Sequence, residues 1–341
     1  MRIGYNPHKD QIIEPTTYLH HVVMPIYIPH QKDYFKDGLN ILKLALESLF
    51  KTTHNKTFFT LVNNGSCKAV KDYLDSLQLK GAVHEVIHTT NIGKLNAILK
   101  GLAGHDIELV TITDADVLFK NNWQQETIKV FNAFPKVGVV GIVPQFNMFK
   151  AHCGNTIFDN FFNKKLKFLP VKSPEDMALF YKSIGWDNTY NKDLLQYSLG
   201  IEHKEMNVLL GSGHFVATYK KQQFKEITSY LGYKLGGDSE SYLDKAALSY
   251  DYWRVTTQNN YAYHMGNVIE NWMIDYKIIK EKDSGVYSDF SNKKKIGGFS
   301  YIIKNKIFYK LILNKWFSNF FYRWKGLPKT MVTNYNSLKA K

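Results

Sequence analysis

Hydrophobic and polar positions over residues 20–270 form alternating blocks that predict strands followed by helices. Short apolar runs rich in β-branched residues predict buried strands at residues 21–28, 57–62, 83–87, 107–112, 137–143 and 214–219. Apolar residues three or four positions apart predict amphipathic helices at residues 39–49, 68–77, 94–102 and 241–249. Because strands that alternate with helices connect through crossovers, the pattern predicts an α/β fold with a doubly wound, mostly parallel sheet.

The regular pattern is lost in two places. Between residues 145 and 210, apolar, aromatic and lysine residues mix without a clear period, so we expect ligand-facing loops and short helices there. After residue 275 the chain becomes rich in lysine and aromatic residues. We therefore divide the chain into an α/β domain at residues 1–275 and a helical, basic and aromatic C-terminal extension at residues 276–341.

Two carboxylates, Asp114 and Asp116, directly follow the apolar run at residues 107–112. In open α/β sheets this end of a strand is where ligands bind. Residues two apart in an extended chain point the same way, so both side chains can face one hard divalent cation. Such a cation can bridge a diphosphate and neutralise the charge on a departing nucleoside diphosphate. The alternative is an ordinary turn, since turns also favour Asp.

Composition limits the partners that this chain can have. Forty-four basic residues against thirty acidic ones give a net charge of +14, which favours an anionic partner such as a nucleotide or a phospholipid surface. Only Arg2, Arg254 and Arg323 are arginines, and lysine lacks the planar fork that reads base edges. We therefore expect no nucleic-acid partner.

The cysteines and the N-terminus indicate a cytoplasmic protein. Cys67 and Cys153 lie far apart without zinc-binding spacing, so neither a disulfide framework nor a structural zinc site is predicted. The first residues lack the apolar core of a signal peptide, and no run approaches the roughly 18 apolar residues of a membrane span. We expect any membrane contact to be peripheral.

Four segments occur in an order that resembles the inverting family 2 glycosyltransferases of the GT-A fold, over residues 20–270. The segments are Pro25-Ile26-Tyr27, Asn63-Asn64-Gly65-Ser66, Asn91-Ile92-Gly93-Lys94-Leu95-Asn96-Ala97 and Asp114-Ala115-Asp116. The resemblance makes residues 1–275 the catalytic domain and implies a pocket for a nucleoside-diphosphate sugar. The residues implied to line that pocket are Pro25, Tyr27, Asn63, Asn64, Gly93, Lys94, Asn96 and Asp114.

The chain departs from the family pattern at Asn63, where the family usually has Asp. A carboxylate there accepts from the imide of uracil, whereas an Asn amide can both accept and donate. The sequence therefore does not determine which nucleobase the donor carries. Lys94 is implied to lie near the diphosphate, and its alternative is a solvated helix lysine.

The resemblance also implies the remaining chemical groups. Asp238 is the expected catalytic base, which would take the proton of the acceptor hydroxyl, and Glu240 is the alternative base. Asp238 could instead cap the following helix. His264 is implied to join Asp114 and Asp116 as a ligand of Mn²⁺ or Mg²⁺, against the alternative of a packed, hydrogen-bonded histidine. Gly211-Ser212-Gly213 could let backbone approach a sugar, and Trp186 or Trp253 could stack on one, although packing explains each as well.

In the C-terminal extension, aromatic residues at positions 316–325 follow helical spacing. One face is predicted to hold Trp316, Phe317, Phe320, Phe321 and Trp324, with Ser318, Asn319, Tyr322 and Lys325 off it. With nearby lysines this face suits an anionic membrane surface, so residues 300–325 are predicted to make peripheral membrane contact. Packing on the catalytic domain or on a second subunit is the alternative.

The sequence thus predicts a metal-dependent inverting glycosyltransferase. The acceptor is expected to be a hydroxyl of a glycan, a lipid-linked saccharide or a polysaccharide. One alternative is a sugar-phosphate nucleotidyltransferase, but such enzymes carry a glycine-rich basic loop where this chain reads Ile26-Tyr27-Ile28-Pro29-His30. The other is a non-catalytic glycan- or membrane-binding protein on the same fold.

Overall fold

The structure is a computed structural model that describes residues 4–186, 189–204, 206–227, 232, 234, 239–280, 290 and 293–338. The strands of the described residues are β1 His20–Ile26, β2 Thr57–Asn64, β3 Glu85–Thr89, β4 Leu109–Thr113, β5 Val117–Phe119, β6 Val137–Gly141, β7 Leu166–Pro170, β8 Tyr197–Ile201, β9 Val208–Leu210, β10 Val216–Lys220, β11 Trp253–Thr257 and β12 Ala262–His264. All but β5 and β12 join one large sheet.

Helices flank the large sheet and continue into the C-terminal extension. The α-helices of the described residues are α1 Gly38–Lys51, α2 Lys68–Leu79, α3 Lys94–Leu102, α4 Trp123–Ala133, α5 Gly154–Asp159, α6 Pro174–Ser183, α7 Ser239–Ala246, α8 Asn271–Asp275, α9 Gly298–Ile302, α10 Tyr309–Leu313, α11 Lys315–Trp324 and α12 Lys329–Val332. A π-helical segment, Ile303–Phe308, joins α9 to α10.

The sheet has the order β3-β2-β1-β4-β10-β6-β11-β9-β8-β7. Strands β3, β2, β1 and β4 pair in parallel, and β6 pairs in parallel with β11. Strand β10 lies antiparallel between β4 and β6, so these two neighbours keep one direction. The predicted α/β class and mostly parallel doubly wound sheet are confirmed, as the GT-A resemblance implies. The antiparallel direction of the strand near residue 216 was not predicted.

Side chains of the parallel strands alternate between two apolar layers, one on each face of the sheet. On β1, Val22 and Met24 pack with α1 and α2, whereas Val23 packs with Leu95 and Ile98 of α3. Strands covered on both faces must be apolar at nearly every position, which explains the continuous hydrophobic runs in the sequence.

The expectation of only loops and short helices between residues 145 and 210 is wrong. Helices α5 and α6 lie there, but β7, β8 and β9 also extend the sheet as antiparallel strands. Gly200 allows the close pairing, because an added Cβ would lie 2.5 Å from the carbonyl oxygen of Val208. The sequence pattern gave no clear signal because these strands are short and because β7 pairs with β8, and β9 with β11, across long stretches of chain.

The C-terminal extension packs on the α/β domain through helix α11. Phe321 and Tyr322 are fully buried in the main core, and the amide of Phe168 donates to the carbonyl of Lys325 at 2.8 Å. Ser318, Tyr322 and Lys325, which the sequence places off the aromatic face of this helix, are buried, and so is Phe321, which it places on that face. The domain boundary at residue 275 stays a prediction. Within the described residues, no helix combines the length and apolar character needed to cross a bilayer.

Candidate active site

The Asp114-Ala115-Asp116 motif directly follows β4, at the end of the sheet where the parallel strands present their carboxyl termini. The amide of Asp114 donates to the carbonyl of Phe215 at 2.8 Å, which extends the β4–β10 pairing to the first residue of the motif. The carboxylate of Asp114 lies 2.7 Å from the ammonium of Lys94. The expected position of the motif at the end of a buried strand is therefore found, and two predicted donor-site residues contact each other.

His264 reaches Asp116 through a small two-stranded ribbon that is separate from the large sheet. Strand β12 pairs antiparallel with β5, which places His264 opposite Val117. The amide of Met265 donates to the carbonyl of Asp116 at 2.8 Å, and His264 Nε2 lies 3.4 Å from Asp116 Oδ2. Two of the three predicted metal ligands are thus neighbours, although they are distant in sequence.

Ser183 fixes the ring of His264. Its hydroxyl donates to the carbonyl of Phe180 at 2.7 Å and lies 2.9 Å from His264 Nδ1. The other ring nitrogen, Nε2, faces a carboxylate oxygen of Asp116. A hydrogen bond at one ring nitrogen orients the other nitrogen for a metal, so His264 Nε2 is positioned for a cation beside Asp116.

Asp116 has a second feature that suits a cation. Its Oδ1 atom is buried and has no hydrogen-bond partner in the described part of the chain. Burial raises the pKa of the Asp116 carboxyl, a change that His264 opposes and Asp114 reinforces. Asp116 and His264 therefore fit a hard divalent cation. Asp114 is turned to Lys94, and no group of three His, Cys, Asp or Glu side chains among the described residues is already arranged around a metal position.

Helix α6 fixes the ribbon at both ends of the helix. At the N-terminal end, Asp176 accepts hydrogen bonds from Tyr263 at 3.0 Å and from Asn260 at 3.2 Å, and it lies 3.3 Å from the ammonium of Lys120. At the C-terminal end, Ser183 holds His264. Neither Asp176 nor Ser183 was predicted from the sequence, because isolated polar residues on a helix carry no signal of a distant partner.

The turn after β2 is built around the side chain of Asn63. Its Oδ1 accepts from the amide of Ser66 at 2.8 Å, and its Nδ2 lies 2.9 Å from His88 Nδ1. His88 in turn contacts Asp75 through Nε2 at 2.7 Å. Gly65 has φ +90° and an added Cβ there would lie 2.8 Å from the amide nitrogen of Asn91, so this turn requires glycine.

The turn after β2 also holds the segment that leads into α3. Asn64 Oδ1 accepts from the amide of Ile92 at 2.9 Å, and the Asn96 amide donates back to the carbonyl of Ile92 at 2.7 Å. Gly93 precedes the helix with φ +89°, a conformation that glycine adopts without strain. The predicted pocket residues on these two turns therefore lie together, with Lys94 at the start of α3.

Pro25 lies within β1, opposite Val62, and Tyr27 follows the strand with 42% of its surface exposed. The hydroxyl of Ser66 accepts from the amide of Ile28 at 3.0 Å, which ties the end of β1 to the Asn63 turn. The predicted pocket residues on β1, β2 and α3 thus lie together at the end of the sheet where the parallel strands have their carboxyl termini. Asp114 contacts this group through Lys94.

The geometry does not decide between the two predicted candidates for the catalytic base. Asp238 lies outside the described residues. Glu240 belongs to the first turn of α7, and its side chain is also outside the described part of the chain.

A buried ion pair that the sequence analysis did not single out anchors α7 behind the site. Arg254 is fully buried and donates to the carboxylate of Asp244 and to the carbonyl of Ser212, the latter at 2.8 Å. Burial alone would raise the pKa of Asp244, but Arg254 and the nearby His214 outweigh it and lower the pKa. The pair fixes the 211–214 turn against α7.

Comparisons with known proteins agree with the motifs. Residues 23–184 match the model of the family described as glycosyl transferase family 2. No curated protein matches the chain. Among solved structures, the mannosyltransferase PcManGT from Pyrobaculum calidifontis, in complex with GDP-Man and Mn²⁺, is 16% identical with a TM-score of 0.41, covering 73% of this chain and 57% of that one. S. aureus TarS 1–349, in complex with UDP-GlcNAc, is 13% identical with a TM-score of 0.43, covering 76% and 62%.

The chain spans less than two thirds of the length of either solved protein. The family match covers the segment with the two donor turns and both aspartates of the Asp-x-Asp motif, and it ends one residue after Ser183. These are the residues on which the predicted resemblance rests. The resemblance is therefore confirmed over residues 23–184, the segment that matches glycosyl transferase family 2.

Proposed function

We propose that this chain is a metal-dependent inverting glycosyltransferase. It transfers a sugar from a nucleoside-diphosphate sugar to a hydroxyl of a glycan, a lipid-linked saccharide or a polysaccharide. The observation that carries the proposal is the 3.4 Å contact between Asp116 Oδ2 and His264 Nε2, next to a buried Asp116 Oδ1 that has no partner among the described residues. A bound cation would satisfy both groups, and the site lies at the end of the sheet that holds the donor turns.

The donor-binding residues have distinct proposed roles. The turns at Asn63 and Gly93 hold the nucleoside, and Tyr27 is exposed beside them. Because Lys94 lies close to Asp114, Lys94 and the bound cation can contact the same anionic ligand. Asp116 and His264 would hold the cation, Mn²⁺ or Mg²⁺, and Asp114 would contact it or the ribose. When bound, the cation supplies positive charge that stabilises the departing diphosphate.

The proposed reaction is a single displacement. The acceptor hydroxyl oxygen forms a bond to the anomeric carbon while the bond from that carbon to the diphosphate oxygen breaks. The diphosphate keeps the electron pair, and Lys94 helps to stabilise its charge. The hydroxyl proton passes to a carboxylate, for which Asp238 is the proposed base and Glu240 the alternative.

The test is a binding titration with nucleoside diphosphates and their sugars, with and without Mn²⁺. We expect nucleotides with one particular nucleobase to raise the melting temperature of the protein, and only when Mn²⁺ is present. Asp116→Ala should abolish that shift. Asp72→Ala is the matched control, since Asp72 pairs with Lys68 on an exposed helix surface. Release of a nucleoside diphosphate from the donor on turnover would support transfer, whereas release of pyrophosphate from an added nucleoside triphosphate and sugar phosphate would indicate a nucleotidyltransferase. A native chain that binds no nucleotide with Mn²⁺ would contradict the proposal.

We also propose that the enzyme works in the cytoplasm, at an anionic membrane surface. The exposed aromatic face consists of Phe162, Trp316, Phe320 and Trp324. Phe162 is 86% exposed and Trp316 80%, and the ring of Trp324 lies 6.2 Å from that of Phe162 and 6.3 Å from that of Phe320. The exposed basic residues on α11, on α10 and on the π-helical segment before them are Lys306, Lys310, Lys315 and Arg323. Aromatic rings beside cations suit the headgroup layer of anionic lipids.

A further inference from the structure

A cavity of about 600 Å³ opens beside the Asp116–His264 pair and is separate from the donor turns. His264 and Phe215 line it on the side of the proposed reaction centre, and the C-terminal residues Asn336 and Leu338 also line it. A volume of this size accommodates a small ligand such as one or two sugar rings. The proposed roles of the donor residues leave this space without a function.

One wall of the cavity is a stack of aromatic rings that ends in an exposed face. Phe146 stacks on Tyr181 with ring centroids 3.8 Å apart, and Tyr181 stacks on Trp186 at 5.2 Å. The amide of Phe146 donates to the Tyr181 hydroxyl at 2.6 Å, which fixes the middle ring. Trp186 is 44% exposed and lines the cavity. Its exposed surface is an apolar platform of the kind on which the C–H face of a sugar packs.

Two amide side chains in the cavity lining have buried polar atoms without a partner. Gln145 Nε2 and Asn147 Oδ1 make no hydrogen bond to any described residue. Buried amide atoms are almost always hydrogen-bonded in folded proteins, so such atoms indicate a missing ligand or water. A hydroxyl group can accept from an amide nitrogen and donate to an amide oxygen, and sugars carry several hydroxyls.

The cavity lining also contains a cation that has no carboxylate partner among the described residues. Lys150 lies with its ammonium 5.6 Å from the ring centre of Phe149 and 5.8 Å from that of Tyr322. Its backbone is held by the Tyr309 hydroxyl, which donates to the Lys150 carbonyl. Burial lowers the pKa of Lys150 to about 8, so the ammonium form at neutral pH benefits from an anionic ligand.

We propose that this cavity binds the acceptor, and that the acceptor is a saccharide with an anionic group. Its sugar ring packs on Trp186, its hydroxyls bind Gln145 and Asn147, and Lys150 binds its carboxylate or phosphate. This assignment rests on the proposed function, because the cavity adjoins the reaction centre through His264. It narrows the acceptor from any hydroxyl compound to acidic or phosphorylated saccharides.

The test is an immobilised array of neutral, uronic-acid-containing and phosphorylated saccharides, probed with the full chain in the absence of a donor. The strongest acidic and phosphorylated members are then titrated in solution, which distinguishes a carboxylate from a phosphate as the preferred group. We expect at least tenfold tighter binding of anionic members than of their neutral counterparts. Lys150→Met should remove that preference by weakening anionic binding about tenfold or more. Trp186→Ala should weaken binding of every bound member roughly fivefold.

Matched controls separate the cavity from the rest of the surface. Lys164→Met removes an exposed lysine outside the cavity, and Phe299→Ala removes an exposed aromatic ring of the C-terminal extension; both should bind saccharides as the native chain does. An unchanged melting temperature and retained Mn²⁺-dependent nucleotide binding show that the Lys150 and Trp186 variants are folded.

Three results would overturn the acceptor proposal: equal binding of neutral and anionic saccharides, no saccharide binding by a chain that binds nucleotide, or an anionic preference that survives in Lys150→Met. Saccharide binding by a chain that binds no nucleotide would instead overturn the proposed transferase activity. The two proposals can therefore fail separately.

Discussion

Ser183 holds His264 beside Asp116, through a hydrogen bond of 2.9 Å to Nδ1 that leaves Nε2 3.4 Å from Asp116 Oδ2. The Ser183 hydroxyl also contacts the carbonyl of Phe180, which ties it to helix α6. Ser183 is therefore a positioning residue: it fixes the orientation of His264, and it never needs to contact the donor.

Replacing Ser183 by Ala should weaken Mn²⁺ binding about tenfold, because ligand histidines without a fixed ring orientation bind metal less well. The free Mn²⁺ concentration can be followed by electron paramagnetic resonance in the presence of a nucleoside diphosphate. Ser183→Thr keeps the hydroxyl and should restore the affinity. Ser76→Ala is the control, since Ser76 makes the same kind of bond to the carbonyl of Tyr73 on a helix away from the site. Equal Mn²⁺ affinity of native and Ser183→Ala chains would contradict this role.

Replacing Lys94 by Met should lower kcat/KM for the donor by about 100-fold, because the departing diphosphate loses a charge-stabilising group. Lys94 and Asp114 are only 15% and 26% exposed, so their 2.7 Å contact lies largely out of water. Nucleoside diphosphate release at varied donor concentration gives the measurement. Lys71→Met breaks an ion pair of the same length with Asp75 on an exposed helix and should leave the rate unchanged. A Lys94→Met enzyme with native kcat/KM would show that Lys94 does not act on the diphosphate.

The C-terminal extension should be held on the domain more weakly in acid. Lys304 lies 2.8 Å from both Asp159 and Asp251, and Lys136 pairs with the same two carboxylates. Burial by itself raises the pKa of Asp159, but hydrogen bonds from Lys136 and Lys304 outweigh it and lower the pKa. A carboxyl with a lowered folded-state pKa stabilises the fold above its unfolded pKa of about 4, and the effect is lost as pH falls through the folded value.

Asp159→Asn should therefore reduce the free energy of unfolding by about 2 kcal/mol at pH 7. The difference from the native chain should shrink as the pH falls below about 4. Denaturant unfolding at a series of pH values measures both effects. The control is Asp106→Asn, since Asp106 pairs with Lys221 but is fully exposed and should contribute little. A difference that is independent of pH would mean that the charge of Asp159 does not provide the stabilisation.

The exposed aromatic face should bind vesicles that contain anionic phosphatidylglycerol in preference to neutral phosphatidylcholine vesicles, and less well at high salt. Replacing Trp316 and Phe320 together by Ser should lower the bound fraction in a sedimentation assay at least tenfold. Leu79→Ser is the control, because Leu79 is 89% exposed at the end of α2. Vesicle binding that the double replacement leaves unchanged would contradict a membrane role for this face.

Local features of the site could be predicted from the sequence because their signals are local. Helix α3 begins at Lys94 and ends at Leu102 as its apolar spacing predicts, and Asp114 follows its strand as the apolar run indicates. Short-range hydrophobic period and strand length determine both features. The Asn63 and Gly93 turns each follow one strand of a parallel pair. Their proximity therefore follows from the predicted topology.

Long-range pairings could not be predicted from the pattern. The antiparallel placement of β10, the pairing of β12 with β5 and the contact of Ser183 with His264 all join residues far apart in the chain. His264 was suggested only by resemblance to a family. Helix α11 shows the same limit, because its aromatic residues are divided between the core, where Phe321 lies, and solvent, where Trp316 lies. The packing partner, and not the helical spacing, decides that division.

The ribbon formed by β5 and β12 also affects when the protein gains its site during synthesis. Asp116 leaves the ribosome long before His264, and the strand that carries His264 cannot pair until it too has emerged. A nascent chain that ends before β12 can contain β1 to β4 and both donor turns, yet it lacks the partner that faces Asp116. Growing chains are therefore unable to assemble the Asp116–His264 pair, and the proposed nucleotide-sugar turnover begins only with molecules whose second half has folded.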